Sequence, residues 1–149
     1  MVQPRSLAFQ NLHTGEKLKT VYWADGGYVP EALHHINWLL RDFRTDDVHP
    51  MDPRLLDLLA DMHVRLRTAE PFQVISGYRS PQTNAMLAAT TDGVAQNSMH
   101  LQGKAIDIRV PGRRLQHVRA AATSLQRGGV GFYPRSDFIH VDTGPVRHW

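Results

Sequence analysis

The sequence predicts an α+β fold in which a small antiparallel sheet carries helices on one face and a groove on the other. Three observations support this prediction. The length of 149 residues suits one domain, 1–149. Turn-forming residues recur roughly every 10 to 20 positions, which is typical of short helices and strands in one compact unit. Hydrophobic residues make up 42% and charged residues 21% of the chain, which excludes a disordered or low-complexity protein.

The first half of the chain predicts a hairpin and two helices. Residues 6–23 alternate between apolar and polar positions around a Thr14-Gly15 turn, as a β-hairpin does. Pro30 suits the first turn of a helix, and apolar residues at helical spacing extend that helix to about Arg44. Asp52 followed by proline is a second helix start, and apolar residues continue at helical spacing to Leu66.

The second half predicts four strands that form the sheet. A strand over 72–75 precedes a helix that starts at Ser80-Pro81, and a polar loop follows over 90–102. A loop of that length without regular structure is typically functional. A helix over 113–126 ends at two glycines. The predicted sheet strands are 73–76, 104–110, 130–133 and 138–143, with the helices on one side.

The composition of the chain excludes several kinds of site and partner. The chain has no cysteine, which excludes disulfides, thiolate metal sites and a cysteine nucleophile. The net charge of +3 comes from scattered basic residues, so we expect no nucleic-acid partner. No apolar run approaches the ~18–20 residues of a membrane span. Residues 1–6 contain no apolar signal segment, which leaves a cytosolic protein or an exported one without its signal as alternatives.

Two of the predicted strands each place a metal-ligand side chain opposite their core face. In 104–110 the period of two puts three branched apolar residues on one side and Asp107 on the other. In 138–143 the same period puts His140 and Asp142 opposite two apolar residues. If these strands pair antiparallel in the right register, Asp107 and His140 lie within reach of one ion.

His100 completes a possible ligand set. It precedes Asp107 by seven residues in the polar loop, and Gly103 permits a sharp approach to the strand. Two imidazoles and one carboxylate are a ligand set of catalytic zinc, with the fourth position open. The chain has nine histidines, and we expect the other seven to be surface or hydrogen-bonded residues, as single histidines more often are.

The motifs around these residues resemble a known family. Residues 98–107, S-M-H-L-Q-G-K-A-I-D, resemble the S-x-H-x-x-G-x-A-x-D signature of the zinc D-Ala-D-Ala peptidase superfamily. Residues 76–80, S-G-Y-R-S, resemble its upstream segment, and 138–142 supply the late histidine. The segments 12–16, 39–42 and 128–131 are similar to its DUF882/YcbK-like murein endopeptidase branch, and the similarity spans essentially the whole chain.

The resemblance implies a function. It implies a zinc-dependent endopeptidase that hydrolyses amide bonds in the peptide cross-links of peptidoglycan, with one zinc held by His100, Asp107 and His140. It also implies a periplasmic or exported enzyme, and we expect a monomer. Two alternatives stay open: a D,D-carboxypeptidase that trims peptide stems, and an inactive zinc-containing module that binds the wall.

For the remaining candidate site residues, more than one role is compatible with the sequence. Zinc activates water for attack on an amide carbonyl while a carboxylate takes the proton. Asp142 and Asp137 are candidates for that base, and either could instead orient a ligand histidine. Arg79 would face the oxyanion or a substrate carboxylate, or else form a structural ion pair. Ser98 and Tyr78 are the further candidates for substrate contact.

Overall fold

A computed structural model describes residues 3–149 of the chain. Met1 and Val2, which begin the N-terminal segment considered above, lie outside the described residues. The strands are β1 (Arg5–Asn11), β2 (Lys17–Ala24), β3 (Gly27–Tyr28), β4 (Phe72–Ser76), β5 (Ala105–Arg109), β6 (Gly129–Tyr133), β7 (Phe138–Asp142) and β8 (Arg147–His148). The helices are α1 (Pro30–Leu39), α2 (Pro53–Leu66), α3 (Pro81–Thr90) and α4 (Leu115–Leu125), with a 3-10 helix at Met99–Gln102.

The described strands form one eight-stranded mixed sheet in the order β3-β2-β1-β4-β5-β7-β6-β8. The predicted α+β class is confirmed, but the prediction of a small, purely antiparallel sheet is wrong. The N-terminal hairpin joins the sheet because β1 pairs in parallel with β4. Parallel strands need a long crossover, which α1 and α2 supply between them. A second parallel pair, β6 with β8, closes the opposite end.

Helix α1 ends earlier than its apolar spacing predicts. It stops at Leu39, and the chain turns over residues 40–46 rather than continuing as a helix to Arg44. The turn is held by long-range bonds: the Leu40 carbonyl accepts the Tyr78 amide at 2.8 Å, and buried Asp42 accepts the Ser80 amide at 2.9 Å. A further turn of helix would point the Leu40 carbonyl and the Asp42 carboxylate in other directions, so these two bonds favour a helix that ends at Leu39.

The core lies between the sheet and α1, α2 and α4. Asp52 caps α2 by accepting the Arg54 amide at 3.0 Å, which satisfies one of the free amides of the first turn. The apolar face of α2 packs against α4 and β1. Alternate residues of the central strands, among them Ile106, Ile108 and Ile139, are fully buried on the same core. The opposite face of β5 and β7 is therefore free to carry polar groups.

Helix α3 borders the polar face of the sheet instead of the main core. Ser80 caps it by accepting the Thr83 amide at 3.2 Å, and its Leu87 lines the groove described below. The chain then passes through residues 91–98 to the 3-10 helix. Within residues 3–149, no helix has both the length and the apolar character required to cross a membrane.

Candidate metal centre

Strands β5 and β7 bring the first two predicted ligands together. They pair antiparallel, and Asp107 stands directly opposite His140 in the register. Because side chains of paired residues point to the same face, the carboxylate and the imidazole emerge side by side from the middle of the sheet. Both residues are buried: Asp107 is 4% exposed and His140 is 8% exposed.

The 3-10 helix supplies the third group, His100. The Ser98 hydroxyl accepts the His100 amide at 3.1 Å and starts this short helix. Gly103 ends it with φ at +67°, a left-handed conformation that favours glycine. A Cβ at Gly103 would also collide with the Pro50 carbonyl. Gly103 therefore allows the sharp approach to β5 that delivers His100 beside Asp107.

Three ligand atoms converge at this point. Asp107 Oδ1 lies 3.2 Å from His100 Nε2 and 3.0 Å from His140 Nδ1. Zinc–ligand bonds of ~2.0–2.1 Å in a tetrahedron place neighbouring ligand atoms roughly 3.3 Å apart. The two distances to Asp107 and the chemistry of the three groups, two imidazoles and a carboxylate, therefore fit a metal ion such as zinc. Among the described residues, this is the group of histidine and acidic side chains close enough to hold a metal.

Hydrogen bonds orient both rings for that role. His100 Nδ1 donates to the Gly77 carbonyl at 2.7 Å, which leaves Nε2 facing Asp107. His140 Nε2 donates to Asp142 Oδ2 at 2.7 Å, which leaves Nδ1 facing Asp107. Partners of this kind on the far nitrogen are typical of metal-binding histidines, since they fix the tautomer and the ring orientation.

Asp142 is itself held on all sides. It is fully buried, and Oδ1 accepts the amides of Gly129 and Gly144, both at 2.9 Å. The Arg147 guanidinium adds an ion pair at 3.1 Å to Oδ2. Gly129 leaves room for this carboxylate, because a Cβ there would lie 2.7 Å from Oδ2. The Asp142 side chain thus lies behind His140 and is not part of the groove wall.

The electrostatics of the cluster follow from burial and pairing. Burial alone would raise the pKa of Asp107, but His100 and His140 outweigh it and hold that pKa well below its usual range. Burial opposes the charged form of His140, yet Asp107 and Asp142 on either side raise its pKa to about 9. Burial lowers the pKa of His100, against the opposing charge of Asp107. The cluster thus presents a fixed carboxylate between two imidazoles.

Arg79 lies against the same carboxylate. Its guanidinium is 3.4 Å from Asp107 Oδ2, and it also bonds the Ser76 hydroxyl at 3.3 Å and Asn84 Oδ1 at 3.4 Å. Burial lowers the pKa of Arg79, Asp107 opposes that shift, and the charge of Arg44 adds to it. Arg79 also lines the groove, so it is placed both to hold Asp107 and to meet a ligand.

A groove of about 630 Å³ runs over the cluster. Of the other predicted residues, Ser98 lines it, while Tyr78 stacks on His49 with ring centroids 4.8 Å apart. Asp137 lies in the β6–β7 turn with an exposed carboxylate 3.5 Å from Arg109. Neither Tyr78 nor Asp137 is among the described residues of the groove wall.

An aromatic wall beside the cluster was not predicted from the sequence. Trp149 lies with its ring centroid 5.2 Å from that of His140, and its indole donates to the Tyr133 hydroxyl at 2.7 Å. Gly131 makes room for the indole, because a Cβ there would approach it to 2.7 Å. Phe138 completes this wall. Strand alternation could have revealed Phe138, which is two residues from His140; nothing local marks Trp149.

A second wall was also missed. It is formed by His13 of the β1–β2 turn together with Phe43 and Arg44, which follow α1. These residues are far apart in sequence and meet only because β1 lies beside β4. No local pattern in the sequence could have joined them.

The fold and the site define a class: a protein with a candidate His-Asp-His metal centre on the floor of a groove large enough for a peptide. A family model described as peptidoglycan L,D-endopeptidase MepK matches residues 1–149. The chain therefore belongs to the peptidoglycan L,D-endopeptidase MepK family, which confirms the resemblance found in the sequence.

Individual relatives agree. The chain is 46% identical over 147 residues to peptidoglycan L,D-endopeptidase MepK of Escherichia coli (strain K12), covering 99% of this chain and 81% of that protein. It is 49% identical over 149 residues to the probable peptidoglycan L,D-endopeptidase MepK of Haemophilus influenzae, covering 99% of this chain and 80% of that protein.

Proposed function

We propose that this protein is a zinc-dependent peptidoglycan endopeptidase that hydrolyses amide bonds in the peptide cross-links of the bacterial cell wall. The observation that carries the proposal is the convergence of His100, Asp107 and His140 below a peptide-sized groove. Similarity to MepK endopeptidases over almost the whole chain supports the substrate class. One zinc per chain suits the single cluster of this kind among residues 3–149.

The roles of the side chains follow from their contacts. A zinc ion at such a site supplies Lewis acidity toward water and an amide carbonyl. His100 Nε2, Asp107 and His140 Nδ1 would hold it, and Gly77 and Asp142 keep the two rings turned toward it. Since both oxygens of Asp142 are already bonded, its contacts favour orienting His140 over taking a proton from the reacting groups.

Arg79 is the residue we propose for charge stabilisation. Its guanidinium borders both Asp107 and the groove, so it can donate to the oxyanion that develops on the scissile carbonyl. Ser98 borders the same groove and can contact substrate, although its hydroxyl already accepts the His100 amide. Tyr78 and Asp137 would act as substrate contact and base, respectively, only if their surroundings rearranged.

The setting of the enzyme is part of the proposal. Its substrate is outside the cytoplasm, so the protein would act in the periplasm or as an exported enzyme. We further propose that residues 1–149 form one zinc peptidase domain that acts as a monomer.

Digestion of purified peptidoglycan sacculi tests the function. Liquid chromatography with mass spectrometry should show loss of cross-linked muropeptides and gain of uncross-linked ones with the zinc-loaded protein. His140→Ala should abolish this change, whereas His117→Ala, an exposed helix position away from the groove, should not. Release of terminal D-alanine alone would instead identify a D,D-carboxypeptidase. Zinc binding without any product would identify an inactive wall-binding module.

A further inference from the structure

We propose that Arg44 binds a free carboxylate of the substrate, so that the groove selects peptides carrying such a group near the scissile amide. This inference rests on the proposed function and specifies its substrate. The residues concerned are the wall formed by His13, Phe43 and Arg44, together with the segment that follows α1.

An aromatic platform supports the Arg44 side chain. The rings of His13 and Phe43 stack with centroids 3.8 Å apart and planes 8° from parallel. The Arg44 guanidinium carbon lies 4.3 Å from the centroid of the Phe43 ring. His13 Nε2 is within hydrogen-bond distance, 2.8 Å, of the Ile75 carbonyl at the end of β4. The platform is therefore tied to the sheet that carries the metal centre.

The backbone of Arg44 is also fixed. Its amide donates to Asp42 Oδ1 at 2.9 Å. Asp42 is 2% exposed, and its other oxygen accepts both the amide and the hydroxyl of Ser80 at 2.9 Å. The segment after α1 is thereby joined to the start of α3. A guanidinium presented from such a frame loses less conformational freedom when it binds.

The charges of the groove single out Arg44. Three arginines line it: Arg79 pairs with Asp107, and Arg147 pairs with Asp142. Arg44 is exposed and forms no ion pair with any residue of the described range, including Asp92, the other carboxylate on the wall. Its positive charge is therefore available to a ligand.

The chemistry identifies the ligand as a carboxylate. A guanidinium binds a carboxylate through two parallel N–H···O bonds, and stacking on an aromatic ring leaves the edge that carries these donors free. Peptide stems that contain meso-diaminopimelate keep a free carboxylate beside the amide that is cross-linked. Amidation of that carboxylate removes the charge and changes little else, which gives a matched pair of substrates.

Steady-state kinetics with this pair test the proposal. The substrates are a diaminopimelate cross-linked peptide dimer with free carboxylates and the same dimer as its carboxamide. Wild type should prefer the free carboxylate, and Arg44→Gln should lower kcat/KM for it by ~10-fold or more, as expected for a lost charge-assisted bond. The carboxamide should be cleaved at nearly equal rates by both proteins. Arg44→Lys should recover part of the preference.

Arg127→Gln is the matched control, because it removes the same charge from an arginine that pairs with Asp61 outside the groove wall. Its kinetics should equal those of wild type. An equal preference in wild type and Arg44→Gln would overturn the proposal.

If wild type cleaves neither dimer, the proposed function fails. The role of Arg44 is then tested separately by measuring the binding of the two dimers by calorimetry. Weaker binding of the free carboxylate to Arg44→Gln would support it, and equal binding would overturn it.

Discussion

Asp142 Oδ2 lies 2.7 Å from His140 Nε2, on the opposite side of the ring from the nitrogen that faces Asp107. The carboxylate is fully buried and is bonded by two backbone amides and by Arg147. Its position two residues from His140 on the same strand face makes this contact possible. This contact supports the role that we propose for Asp142, which is to orient the His140 ring.

Asp142→Asn should weaken zinc affinity by roughly 10–100-fold, because an amide holds the His140 ring less firmly and makes it a poorer ligand. Activity should recover when zinc is added in excess. Zinc titration with a competing chelator, together with activity against zinc concentration, measures both effects. A loss of kcat by ~10²-fold with zinc fully bound would instead identify Asp142 as the base.

Asp137→Asn should leave both zinc content and kcat close to those of wild type, because this carboxylate is exposed and faces Arg109 rather than the groove. The same zinc titration and the same kinetic assay apply. A large loss of kcat with normal zinc content would show that the β6–β7 turn rearranges to bring Asp137 to the reacting groups.

Gly77→Ala should destabilise the protein by ~1–3 kcal/mol through overpacking. A Cβ at this position would lie 2.5 Å from the Leu40 carbonyl oxygen and 2.9 Å from Leu40 Cβ. Because the Gly77 carbonyl holds His100, zinc affinity should fall as well. Gly27→Ala is the control, since a Cβ there meets nothing within 4 Å. Equal stabilities of the two variants in urea unfolding would show that Leu40 does not restrict the side chain at position 77.

Strand parity and the local motifs predicted which side chains of the candidate cluster lie close together. The alternation in 104–110 and 138–143 placed Asp107 and His140 on one face, and the pairing of β5 with β7 agrees with the register that this required. The hairpin over 6–23 was also predicted. Its parallel pairing with β4 was not, because contacts between segments separated by two helices leave no periodic signal in either segment.

The same physical reason explains the missed groove walls. Trp149 reaches His140 through the parallel pairing of β6 with β8, and His13 reaches Phe43 through the placement of β1 beside β4. The overlong prediction for α1 has a related cause. The apolar spacing continued past Leu39, but the bonds of Leu40 and Asp42 to residues 78 and 80 determine where the helix ends.

His63 should make the protein less stable below about pH 6.5. The His63 ring stacks on Phe72 with ring centroids 3.9 Å apart, and burial lowers its pKa. The contact of the ring with the Glu70 carbonyl only partly offsets that shift. The unfolded chain then binds a proton more readily than the folded one. The stabilising contribution is complete above the unfolded pKa of 6.5 and is lost as the pH falls from that value through the lower pKa of the folded protein.

Urea unfolding of wild type and His63→Gln measures this effect. The pH is varied from about 7.5 to about 5, on both sides of the ordinary histidine pKa. As the pH falls, the free energy of unfolding of wild type should decrease relative to that of His63→Gln. A difference between the two free energies that stays constant, or that shifts in favour of wild type at low pH, would contradict the assignment.

Anomalous diffraction at the zinc absorption edge from crystals of the zinc-loaded protein tests whether His100, Asp107 and His140 hold the metal. We expect one strong peak per chain, within ~2.0–2.2 Å of His100 Nε2, an Asp107 carboxylate oxygen and His140 Nδ1. The peak should be absent from crystals of His140→Ala prepared in the same way. A peak bounded by other residues, or no peak at this cluster in the wild-type protein, would show that these three residues do not hold the zinc.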